Sequence, residues 1–172
     1  MIRVPKTGRP RALDLFCGAG GSSWGARNAG VEVVAGFDKW QLAGNVYREN
    51  FPEAKFYAGR LEELDPAVVE RELGRIDLIL ASPECTNHSV AKGAIVRDEE
   101  SKATAWQVTR FARVIKPRWV VVENVGAMRN WPRYSEFLDE LRSLGYAVRV
   151  QMLNAKSFGT PQSRRGSSSC AT

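Results

Sequence analysis

A cysteine that follows an apolar strand-like run into a polar loop differs chemically from one inside a core. Cys85 is of the first kind, because IDLIL ends at residue 80 and ASPECTNHS follows. A thiol at a strand's carboxyl end is a candidate nucleophile where cations or backbone N–H groups stabilise its thiolate. The competing reading is a plain structural cysteine. His88 lies three residues on, but Cys–His partners are normally distant in sequence, so a loop or cap role is the simpler reading. Glu123 closes a second apolar run, RWVVVE. Partial desolvation there would favour a protonated acid, with a solvated strand-end carboxylate as the alternative. The cluster Gln162-Ser163-Arg164-Arg165 suits contacts to phosphates or base edges, or is simply a solvated basic stretch.

Two further features suggest a nucleoside ligand. The run DLF (residues 14–16) stops at CGAGG, where glycines let the backbone turn sharply and let a ligand come close to it. The run VEVVAGF ends at Asp38, and a carboxylate at the end of a second strand can accept from both hydroxyls of a ribose. The strict dinucleotide fingerprint fails, because Ser23 stands where GxGxxG places its third glycine. An ordinary glycine turn plus a capping aspartate remains open at this point.

These residues need strands to carry them. Short apolar or β-branched runs at 11–16, 31–38, 76–80 and 118–125 read as strands, with a short one at 55–59 and another at 147–153. Between them, helical spacing appears at 22–28, 41–51, 99–115 and 134–144. Asp65-Pro66 opens a further helix that Gly74 closes: a cap, a proline in the first turn, a glycine past the end. Alternating strands and helices, with central strands apolar on both faces, predict an α/β fold with a mostly parallel doubly wound sheet. Residues 84–98 read as a long loop.

Composition narrows the field. The 172 residues suit one domain, and 44% hydrophobic with 26% charged residues is near the globular average. No apolar run approaches the ~20 residues of a membrane helix. Three scattered cysteines and one histidine argue against a disulfide framework or a metal site, and suggest a reducing, cytoplasmic setting. A net charge of +6 permits, without requiring, a polyanionic partner.

Taken in order, DLFCGAGG, PEC, ENV and QSRR resemble the cytosine-5 DNA methyltransferase family, over about Ala12 to Arg165. The resemblance implies a Rossmann-like class I methyltransferase domain that binds S-adenosylmethionine. Phe16, Gly18 and Gly20 would line the methionine and ribose side, Asp38 would hold the ribose hydroxyls, and Pro83 would border the cofactor. Cys85 would be the nucleophile and Glu123 the acid, while Gln162 and Arg164 would match QxRxR. The implied partner is double-stranded DNA with its cytosine flipped out. A monomer without metal or membrane is expected, in a restriction–modification or phage setting. Alternatives are a remnant that at most binds cofactor or DNA, and an enzyme that methylates RNA, as some relatives methylate a tRNA.

Three positions depart from the family pattern. Glu84 stands where the loop usually has a second proline, and its carboxylate is expected to point away from Cys85. Arg60 stands where an aspartate usually receives the adenine amino group. A guanidinium cannot accept a hydrogen bond, so adenine would rely on backbone groups near Leu61. Gly166 stands where QxRxR has its second arginine, and SSSCAT follows instead of an apolar strand. One coding of GSSSCAT, read one base earlier, gives Arg-Leu-Phe-Val-Val-Arg-His, which suggests a frameshift. The expected organisation is an incomplete catalytic domain over 1–165 with an aberrant tail over 166–172. The last strand and the target-recognition region would be missing. The strand at 147–153 would then lack a neighbour, with marginal stability and weak or absent sequence-specific methylation.

Overall fold

The computed structural model describes residues 8–84, 99–163 and 165–172. The loop expected at 84–98 therefore falls, beyond Glu84, outside the described residues. The elements run β1 (Arg11–Leu15), α1 (Gly21–Asn28), β2 (Glu32–Asp38), α2 (Gln41–Asn50), β3 (Lys55–Ala58) and α3 (Pro66–Leu73). There follow β4 (Leu78–Ala81), α4 (Glu99–Ile115), β5 (Trp119–Val125), α5 (Tyr134–Ser143), β6 (Val148–Asn154) and β7 (Arg165–Ala171). The local chemistry is as expected in α3. The Asp65 side chain accepts from the Ala67 N–H at 2.9 Å, Pro66 occupies the first turn, and Gly74 ends the helix at φ 70°.

One seven-stranded sheet has the order β3-β2-β1-β4-β5-β7-β6. Strands β1 to β5 pair in parallel. The chain winds outward from β1 to β3, then from β4 toward β6. The order therefore reverses between β1 and β4, where open α/β sheets bind their ligands. The main core joins sheet residues Leu13, Ile79, Val120 and Ala171 to Phe111 of α4 and Phe137 and Leu141 of α5. A smaller cluster of Ala26, Val33 and Leu80 sits under α1 on the other face.

The missing last strand is a misreading that the structure corrects. Residues 165–171 form β7, antiparallel to both β5 and β6 and lying between them. A central strand is held by its main chain, which SSSC supplies as well as an apolar segment does. Its side chains alternate. Ser167, Ser169 and Ala171 are buried on one face, in register with Asn124, Val122 and Val120 of β5. On that face the Tyr134 hydroxyl of α5 meets the Ser169 hydroxyl at 3.5 Å, and Ala171 joins the main core. Strand β6 therefore has its neighbour, and the unpaired backbone expected of it does not arise.

Candidate active site

The carboxyl ends of β1, β2, β4 and β5 lie along one edge of the sheet. Because β7 runs antiparallel, it starts at that same edge: Gly166 pairs with Val125, and Arg165 pairs with Asn154 at the end of β6. The strand that sequence reasoning left out is thus the one that brings the QSRR segment to the other motifs.

The glycine turn leaves β1 in a left-handed path. Phe16 has φ 60°, Gly18 52° and Gly20 98°. A Cβ on Gly20 would lie 2.4 Å from Phe51 Cε2, so crowding and conformation both demand glycine there. On Gly18 a Cβ would meet nothing within 4 Å, so the turn is open on that side. Between these glycines and β1, Cys17 is buried, and that burial, with Asp14 and Asp38 nearby, raises its thiol well above the usual range. It is a packing residue.

Asp38 is fixed against the turn. One carboxylate oxygen accepts from the Gly18 N–H at 2.8 Å and the other from the Trp40 N–H at 2.8 Å. Each oxygen has a further lone pair to offer. The open side of Gly18 and this oriented acid fit the ribose end of a nucleoside cofactor. At the adenine end the fit is poorer. Leu61 is buried at the start of a short 3-10 turn, and its carbonyl already accepts from Arg110 of α4, as does that of Leu64 at 2.9 Å. Of the backbone groups near Leu61 expected to serve adenine, the Leu61 and Leu64 carbonyls are thus already engaged. Arg110 fixes the 61–64 turn, a role no motif signalled.

After β4, Pro83 is buried and its carbonyl accepts from Asn124 Nδ2 at 2.9 Å. Asn124 is itself 5% exposed and accepts from the Val125 N–H through Oδ1 at 2.8 Å. This one amide ties the loop after β4 to the end of β5. Sequence reasoning singled out Glu123 and passed over its neighbour. Glu84 pairs with Lys39 at 2.6 Å, which joins the loop after β4 to the end of β2 across the carboxyl end of β1. Glu123 is solvent-exposed, so the desolvation expected of it is not present. A Cβ at Gly166 would come 3.1 Å from Glu123 Oε1, so the departure from QxRxR sits beside that carboxylate. Gln162 is exposed, just before β7. Cys85, His88 and Arg164 lie outside the described residues. Among the described residues no cluster of His, Cys, Asp or Glu could hold a metal ion, and no helix is long and apolar enough to cross a membrane.

A seven-stranded, mostly parallel sheet with a glycine turn after β1, an acid at the end of β2 and the motif-bearing ends of β4 and β5 is the architecture of a Rossmann-like methyltransferase domain. Residues 11–166 match the family of C-5 cytosine-specific DNA methylases, and the chain belongs to that family. It is 32% identical over 163 residues to the Type II methyltransferase M.HgiDI of Herpetosiphon aurantiacus, covering 90% of this chain and 50% of that protein. With M.HindV of Haemophilus influenzae it shares 31% identity over 157 residues, again covering 90% and 50%. Among solved structures it resembles a mutant of Spodoptera frugiperda DNMT2, with TM-score 0.75, 25% identity, and coverage of 94% and 49%. A Schizosaccharomyces pombe Dnmt2 methyltransferase shares the fold at TM-score 0.77 and 20% identity, with coverage of 95% and 49%. The chain thus spans about half the length of the relatives it matches.

Proposed function

We propose that this chain is the cofactor-binding and catalytic part of a DNA cytosine-5 methyltransferase. The observation that carries this reading is the shared sheet edge. It gathers the glycine turn, Asp38, the Pro83-Glu84 approach to Cys85, Glu123 and the start of β7 around the β1/β4 switch point.

S-adenosylmethionine, when bound, supplies the methyl group. Gly18 would leave the main chain open to it, Phe16 and Gly20 would shape the turn beside it, Asp38 would orient its ribose, and Pro83 would border it. Cytosine is a poor nucleophile at C5. The Cys85 thiolate adds to C6, forming a C–S bond and making C5 enamine-like. Glu123 holds a proton at N3 and offsets the charge that addition places on the ring. Gln162 and Arg164 steady the base and the adjoining phosphates from the β7 side. The target must leave the duplex for this, at a cost of a few kcal/mol. Once C5 has taken the methyl group and S-adenosylhomocysteine has been released, loss of the C5 proton to a water-derived base and expulsion of the Cys85 thiolate restore the aromatic base. The chain works as a cytoplasmic monomer, with β7 completing the sheet of its catalytic body.

The test is covalent trapping on duplex DNA containing 5-fluorocytosine, with S-adenosylmethionine present and Cys85→Ser as control, run beside the matching RNA. A Cys85-dependent adduct on DNA is expected. An adduct confined to RNA would move the substrate class. No adduct on either, with S-adenosylhomocysteine still bound, would leave only a cofactor-binding remnant.

A further inference from the structure

Ser23 occupies the place where a dinucleotide-type turn has its third glycine, and the structure gives it a definite task. It sits in the first turn of α1 and is fully buried. Its Oγ donates to Asp14 Oδ2 at 2.7 Å, and its backbone N–H reaches the same oxygen at 3.1 Å. The Tyr47 hydroxyl lies 3.1 Å from Ser23 Oγ. Since the serine proton points to Asp14, Tyr47 is the donor in that contact. Asp14 belongs to β1, Ser23 to α1 and Tyr47 to α2, so one hydroxyl joins three elements beneath the glycine turn.

The packing leaves Tyr47 little freedom. A Cβ on Gly36 of β2 would be 2.4 Å from its Cζ, and one on Gly20 would be 3.1 Å from its Cδ2. Its ring also packs on Phe51 with centroids 4.9 Å apart. The turn that this arrangement supports contains three left-handed residues within five, one of them the non-glycine Phe16. Such a path is held by its surroundings rather than by its own preference.

We infer that Asp14, Ser23 and Tyr47 are positioning residues that hold the glycine turn in the shape that receives the cofactor. The inference rests on the cofactor reading given above. Asp14 is wholly buried, and its Oδ1 has no partner. The titratable groups facing it are Cys17 in the turn, Asp38 from β2 and Tyr47 from α2, with Glu53 facing Tyr47 in turn. Strand β4 contributes none, and Arg27 of α1 is engaged with the Asn50 carbonyl and Glu53. Burial lifts the Asp14 carboxyl to about 6, and burial also lifts the Tyr47 phenol, which keeps it a donor.

The test uses the whole chain and two readouts. Amide hydrogen exchange over residues 16–24 reports the turn without any ligand. Titration with S-adenosylhomocysteine from pH 5 to 8 reports its consequence. Tyr47→Phe keeps the ring against Gly36, and Ser23→Ala removes both side-chain bonds. Each is expected to speed exchange in 16–24 by about fivefold, the loss of one or two net hydrogen bonds, with β5 and α5 unchanged. The affinity should weaken by a similar factor. The wild-type affinity should step near pH 6, and Asp14→Asn should remove the step. Unchanged exchange in both variants, or a step that survives Asp14→Asn, overturns the inference. Faster exchange in the variants of a chain that binds no S-adenosylhomocysteine upholds the brace and sinks the cofactor reading instead.

Discussion

Asp14→Asn should abolish a component of the chain's pH-dependent stability. Burial raises the Asp14 carboxyl from 3.8 to about 6, only partly countered by its bonds from Ser23. An acid with a raised folded value binds its proton more tightly when folded than when unfolded. Its contribution to stability is therefore fully present below about pH 4 and is lost as pH rises through 6. A shift of about two units corresponds to roughly 3 kcal/mol across that window. Asparagine keeps an acceptor for Ser23 and removes the titration. It also puts an amide N–H₂ where Oδ1 has no partner, which costs about 1–3 kcal/mol at every pH. The level at neutral pH can thus stay near wild type, and the slope is the decisive quantity. Urea unfolding of both proteins at half-unit steps from pH 4 to 8 gives the difference curve. It should change by roughly 2 kcal/mol between pH 4 and 6 and level off above about pH 7. A difference curve flat throughout would refute the reasoning, since Asp14 would then titrate alike in both states.

Three further outcomes follow from the geometry. Gly20→Ala should lose about 2 kcal/mol or more by urea unfolding, because it meets both the 98° φ and the Phe51 ring, and it should bind S-adenosylhomocysteine poorly. Asn124→Ala strands the Pro83 carbonyl, so it should cost about 1–3 kcal/mol and slow 5-fluorocytosine adduct formation, while Asn124→Asp should not rescue it because a carboxylate cannot donate. Ser168→Pro should cost about 3 kcal/mol or prevent folding, read by circular dichroism, because Ser168 lies between Glu123 and Gln151 in a central strand; full stability would mean that β7 does not pair there.

Most strands and helices were legible because their apolar periodicity was. The stripe Phe137, Leu138, Leu141 is buried as the spacing of α5 requires, and Val120 and Val122 lie in the core as RWVVV suggested. Strand β7 was illegible for a physical reason. Periodicity reports the side chains a strand buries, but RGSSSCA buries small ones. The information that makes it a strand resides in its neighbours, because β7 pairs along its whole length with β5 on one side and β6 on the other.

The site divides along the same line. Residues proposed to meet cofactor or base must be of particular types at particular strand ends, so Asp38, the glycine turn and Glu123 could be singled out from sequence. Residues that hold those in place need only the right atom at the right distance. Asn124, Arg110 and Tyr47 act through one amide, one guanidinium and one hydroxyl, each directed by register or packing across 41, 49 and 24 residues of sequence. Ser23 shows how far such a residue can mislead. As a missing glycine it counts against a nucleotide turn, yet its hydroxyl links β1 to α2 directly beneath that turn. A failed fingerprint position is therefore no evidence against the site when the substituted side chain is buried and doubly hydrogen-bonded. It is evidence that this turn is fastened by hydrogen bonds where others rely on close helix–strand contact.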